Sequence, residues 1–126
     1  MKITSFNPLI VTKNADAAIK LFEELGFEKR HTSEGTNNDR AFVTVRMKNP
    51  DGFYVDISQS EQIPADMTAI RVNVDNLEEA VQLLTERGFV DANGGKVTDL
   101  GSSRSVFVRS PSGFFITVIK HIKESI

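Results

Sequence analysis

The sequence predicts an α+β domain built from two consecutive βαβββ units. Three observations carry that prediction. An amphipathic helical pattern at Ala15, Ala18, Ile19 and Phe22 returns at Leu77, Ala80, Val81 and Leu84, each position plus 62. A turn signal, Asn49-Pro50-Asp51-Gly52, returns as Ser110-Pro111-Ser112-Gly113, each position plus 61, with strand-like runs on both sides in both copies. The chain has 126 residues, a length that suits one domain with a real core.

The elements follow in order. Ile3–Val11 is extended and apolar enough for a first strand. Asn14 can cap the helix Ala15–Leu25, whose i, i+3, i+4, i+7 spacing gives one buried stripe. Gly26 suits the left-handed residue that ends it. Strands are expected at Glu28–Thr32, Arg40–Lys48 and Phe53–Ser58, the last two joined by the Pro-Asp-Gly turn. The polar stretch Gln59–Asp66, with Pro64, is the linker, so the units span 1–58 and 67–121 within a single domain.

The second unit repeats this plan. Thr68–Val74 is its first strand. Asn76 caps the helix Leu77–Arg87, with Glu79 three residues on as in a capping box, and Gly88 ends it. Strands follow at Val90–Ala92, Arg104–Arg109 and Phe114–Lys120. The Gly- and Ser-rich stretch Asn93–Ser103 is expected to be a mobile loop, and the tail Ile122–Ile126 to fray.

Composition removes several function classes. With no Cys, there is no disulfide framework, thiolate zinc site, iron–sulfur cluster or Cys nucleophile. Fifteen Lys and Arg against seventeen Asp and Glu give a net charge of −2, which is no electrostatic footprint for nucleic acid. Apolar runs are too short to span a membrane, and Met1–Pro8 does not read as a signal peptide, so a cytoplasmic location is the expectation. Two His residues, His31 and His121, exclude a His-rich metal site.

Several segments together resemble the vicinal oxygen chelate superfamily, which includes glyoxalase I, extradiol dioxygenases, fosfomycin-resistance enzymes and bleomycin-binding proteins. The residues that carry the resemblance are Val11-Thr12-Lys13-Asn14 with Ala18–Phe27, then Val74–Ala80 and Pro111-Ser112-Gly113-Phe114. It spans nearly the whole chain and implies that the two units form a cupped mixed β-sheet with the helices outside, commonly in a homodimer. Metal-dependent relatives place ligands on the first and last strand of each unit. Carried over, those places fall on Phe6, Asp56, Ala69 and Thr117. Only Asp56 offers a charged oxygen, and a dedicated divalent site needs three or more protein ligands, so no metal and no other cofactor is expected.

Strand alternation proposes a cup lining of Phe6, Pro8, Ile10, Phe42, Thr44, Arg46, Tyr54, Asp56, Arg71, Asn73, Phe107, Phe115 and Thr117. The opposite face gives an aliphatic core of Val43, Val45, Val55, Ile57, Ile70, Val72, Val106, Val108, Ile116 and Val118. Arg46 and Arg71 can hold an anionic group. Asp56 can serve as a catalytic general base or pair with either Arg in a structural salt bridge. Phe6, Phe42, Tyr54, Phe107 and Phe115 can stack on a planar ligand, fill the cup or form a dimer interface. The resulting expectation is a binding protein for a small organic molecule. The alternative is a lyase or dioxygenase-type enzyme with an altered metal site or acid–base chemistry at Asp56.

Overall fold

Both helices form where the period places them, and their ends are built alike. The structure is a computed structural model; it describes all residues except 38, 39, 62, 93–97, 100–102 and 122–126, and the backbone alone of 35–37, 40, 41, 98 and 99. Helix α1 spans Ala15–Glu24 and α2 spans Leu77–Glu86. The Asn14 side chain accepts from the Ala17 N–H, and the Asn76 side chain from the Glu79 N–H. At the other end, the Phe27 N–H reaches back to the Phe22 carbonyl and the Phe89 N–H to the Leu84 carbonyl. Those bonds require a left-handed residue in between, supplied by Gly26 at φ 101° and Gly88 at φ 89°.

The strands are β1 Ile3–Thr12, β2 Glu28–Asn37, β3 Arg40–Lys48, β4 Tyr54–Gln59, β5 Met67–Val74, β6 Val90–Asp91, β7 Thr98–Asp99, β8 Ser103–Arg109 and β9 Phe115–His121. Two compact units result, Asn7–Ala69 and Ile70–Ile126, the second also taking in Met1–Phe6. Within the first unit the strand order is β2-β3-β4-β1, and within the second β5-β9-β8-β6, with β7 on β8. Strand β1 runs parallel to β4, whereas β2·β3 and β3·β4 are antiparallel. In the second unit β8·β9, β6·β8 and β7·β8 are antiparallel. The chain is therefore α+β, with mixed pairing and a βαβββ order of elements in the first half, to which the second half adds the two-residue strand β7.

Two regions differ from the sequence expectation by more than one residue at an element's end. Strand β2 continues to Asn37, five residues past Thr32, because Ser33–Asn37 pairs with Arg40–Thr44 in the antiparallel ladder. The polar side chains there give no apolar alternation to read. Within the expected loop Asn93–Ser103, Thr98–Asp99 forms a short strand paired to Ser105 and Arg104. The rest of that loop, apart from Ser103 at the start of β8, and the tail lie outside the described residues.

Each unit has its own core on the helix side of its strands. In the first, Ala15 and Ile19 of α1 pack with Val45, Met47, Val55 and Ile57, joined by Ile10, Ala18, Phe22 and Phe27. In the second, Leu77 and Ala80 of α2 pack with Val74, Val106, Val108 and Val118. Burying each large aliphatic side chain stabilises by about 1.5–3 kcal/mol. Among the described residues, no helix is long and apolar enough to cross a membrane.

Candidate functional site

The first unit turns a polar face away from its core, and the phase of β1 decides which residues stand on it. Ile10 packs into the core with α1. Alternation then sends Asn7 and Leu9 to the other side, where they are buried. Asn7 lies on the same face as Asp56, and its Nδ2 donates to Asp56 Oδ2 at 2.6 Å. The expected lining from β1, Phe6, Pro8 and Ile10, is thus corrected by one residue. Phe6 has 65% of its surface exposed, and its strand position has the parity of Ile10, not of Asn7. The cause is visible in the sequence: apolar residues occupy both parities of β1, and a one-residue slip turns every side chain over.

Strands β3 and β4 supply the rest of this face. Arg46 stands directly opposite Asp56 in the antiparallel ladder, and Lys48 opposite Tyr54. Arg46 Nη1 donates to Asp56 Oδ2 at 2.9 Å and reaches Asn7 Oδ1 at 3.3 Å. Its guanidinium carbon sits 4.1 Å from the centre of the Tyr54 ring, and Lys48 Nζ lies 5.3 Å from it. Both are cation–π distances. Deeper along the same face the Thr44 and Ser58 hydroxyls bond to each other. Asp56 has no exposed surface, and 17% of the Arg46 side chain remains exposed. A buried carboxylate is tolerated only when paired, and here a cation and an amide both serve it. Of the two roles open to Asp56, the structure shows the ion pair, with Arg46 as its partner. Phe42 lies half-buried on β3 at the parity of Arg46.

The second unit carries the other expected residues. Arg71 Nε donates to Asn73 Oδ1 at 3.0 Å, as two same-face neighbours of one strand can. Phe107 and Phe115 stack face to face, with ring centres 5.1 Å apart and planes 6° from parallel. Thr117 is buried opposite Phe107 in the ladder. The sequence reading missed Asn7 and Lys48. The polarity of Asn7 inside an apolar strand, and the i, i+2 spacing of Arg46 and Lys48, were the available signals. A separate groove of about 430 Å³ lies on the helix side of the first unit, lined by Lys13, Ala15, Ile19, Val43, Val45 and Gln59 among others.

Among the described residues no three His, Asp or Glu side chains are grouped as a metal site needs. Of the places that the resemblance implies for ligands, Phe6, Asp56, Ala69 and Thr117, one carries a carboxylate. The one anionic oxygen whose contacts are defined, Asp56 Oδ2, already faces a guanidinium.

Comparison with solved structures gives the fold. Methylmalonyl-CoA epimerase from Mycobacterium tuberculosis aligns over 96% of this chain and 90% of its own, with a TM-score of 0.69 and 16% identity. The chain shares the fold of this epimerase. A variant of the Streptomyces coelicolor methylmalonyl-CoA epimerase, in complex with 2-nitronate-propionyl-CoA, aligns over 97% of this chain and all of its own, at a TM-score of 0.67 and 13% identity. A variant of glyoxalase I from Zea mays aligns over 98% of this chain but only 45% of its own, at a TM-score of 0.63 and 13% identity. No family model and no curated protein matches the sequence.

Proposed function

We propose that this protein binds a small organic molecule without a divalent metal, using the polar face of its first unit. The observation that carries the reading is the Asn7–Arg46–Asp56 cluster. At a place where the fold's metal-dependent members are expected to hold a cation between oxygen ligands, a guanidinium bonds to the carboxylate and the amide oxygen. Arg46 is fixed by two acceptors and an aromatic ring, so its charge is in position before a ligand arrives. Such preorganisation lowers the entropy lost on binding. Phe42 and Tyr54 add apolar area of the kind that lines ligand sites.

The competing reading makes Asp56 an acid–base catalyst, which would require Oδ2 to exchange protons while holding both Asn7 and Arg46. Binding of Zn²⁺ and Mn²⁺ by isothermal titration calorimetry separates the readings. The expected result is no stoichiometric binding. One equivalent of metal, lost in the Asp56→Ala variant, would overturn the proposal.

A further inference from the structure

We propose that Lys48 and Arg46, which share one face of β3 and both lie within cation–π reach of the Tyr54 ring, form an oxyanion subsite that takes a carboxylate or phosphoryl group of the ligand. The inference rests on the metal-independent reading above and names the ligand class. Positions 46 and 48 share one face of β3, and both cations have Tyr54 as a neighbour, at 4.1 and 5.3 Å from the ring centre. Lys48 is the less committed of the two cations. Asp56 offsets Arg46. Among the described residues Lys48 makes no ion pair, although Glu28 stands opposite it on β2. The remaining neighbour, His31, stands opposite Arg46 and is exposed. An incoming oxyanion therefore competes with Glu28 for Lys48, while Arg46 is already held by Asp56 and Asn7.

Both cations are half-buried. Partial burial strengthens an ion's attraction for an incoming anion relative to bulk water. The Lys48 ammonium sits on a flexible stem and can donate three hydrogen bonds, while Arg46 supplies a fixed charge next to it. A charged oxyanion satisfies both, whereas a neutral amide of the same shape gains no charge-assisted bond.

The test is an NMR titration of the full-length ¹⁵N-labelled protein with benzoate, with neutral benzamide and with inorganic phosphate. Benzoate or phosphate is expected to move the amide signals of Arg46, Lys48 and Tyr54 saturably, and benzamide to leave them. The tighter of the two anions assigns the head group. Lys48→Gln should weaken anion binding about tenfold, the scale of one charge-assisted hydrogen bond, and Lys48→Arg should retain it. Spectral dispersion reports that each variant is folded. Equal shifts with benzamide and benzoate, no saturable shift with either anion, or unchanged affinity in Lys48→Gln would each sink the proposal. A parallel Mn²⁺ titration keeps the two readings apart: paramagnetic broadening centred on Asn7 and Asp56 counts against metal independence and leaves the anion arm to be read separately.

Discussion

Replacing Arg46 with Met should be among the most damaging single changes on the polar face of the first unit. Asp56 is completely buried, and the Arg46 guanidinium lies 2.9 Å from its Oδ2. At an effective dielectric near 20, a unit pair at that distance attracts by roughly 6 kcal/mol, before desolvation is charged against it. Removing one partner of a buried pair costs about 3–5 kcal/mol, because the other charge stays buried without it. Arg46 keeps some contact with water and Asn7 remains beside Asp56, so the lower end, about 3 kcal/mol, applies. A chain of 126 residues unfolds with an entropy of roughly 0.26 kcal/mol/K, so Tm should fall by about 11 °C. Urea titration and a circular-dichroism melt read both quantities. The decisive arm is the double variant Arg46→Met/Asp56→Asn, which removes the charge that Arg46→Met leaves behind. It should recover about 2 kcal/mol relative to Arg46→Met alone. A loss below about 1 kcal/mol in Arg46→Met, or no recovery in the double variant, would refute the reasoning.

Two further outcomes follow from the second unit and its neighbours in sequence. A Cβ at Gly88 would meet Pro111 Cγ at 3.0 Å, whereas one at Gly26 meets nothing within 4 Å. Both positions have positive φ, so each Gly→Ala change costs about 1–2 kcal/mol in backbone strain. Gly88→Ala should lose more than Gly26→Ala in urea midpoint, and the reverse order would be inconsistent with the packing at Pro111. The Lys2 N–H donates to Asp75 Oδ1 at 2.7 Å and holds that carboxyl below its ordinary range. Its contribution is present above about pH 4 and lost as pH falls through the lower folded value. A hydrogen bond from the Met1 ammonium to Glu79, and then the charge of Glu79, raises the amino group above 8.0; that contribution is present below pH 8.0 and lost as pH rises through the folded value. Both groups are exposed, so the effects should be small and weakened by salt. Asp75→Asn should flatten the acid limb of stability against pH and Glu79→Gln the alkaline limb; unchanged limbs would remove these contacts from the account.

The fold was legible because its signals are local. Asn14 and Asn76, the 3.6-residue period after each, and Gly26 and Gly88 specify two helices without reference to anything distant. The Pro-x-Gly turns fix the hairpins in the same way. Strand β2 beyond Thr32 was not legible, since Ser33–Asn37 has no apolar face and extends only because β3 offers it a backbone ladder. The candidate site was half legible. Arg46, Tyr54 and Asp56 lie in strands with clean alternation, and the structure brings them together. Asn7 was missed because β1 is apolar at both parities, so its phase is set by the packing of Ile10 against α1. An offset of 62, which matches Ile10 to Val72 in the two cores, also matches Asn7 to Ala69.

The grouping of Met1–Phe6 with the second unit has a consequence for how the chain acquires its structure during synthesis. The partners of Met1 and Lys2 lie 78 and 73 residues further on. At about 5–20 residues per second, a ribosome needs roughly 4–15 s to supply them. Residues Asn7–Ala69 can collapse on their own contacts in that interval, while the leading segment waits with Ile3 and Phe6 in water. The start of β1 therefore finds its native neighbours later than Asn7–Ala69 can, although it is made before them.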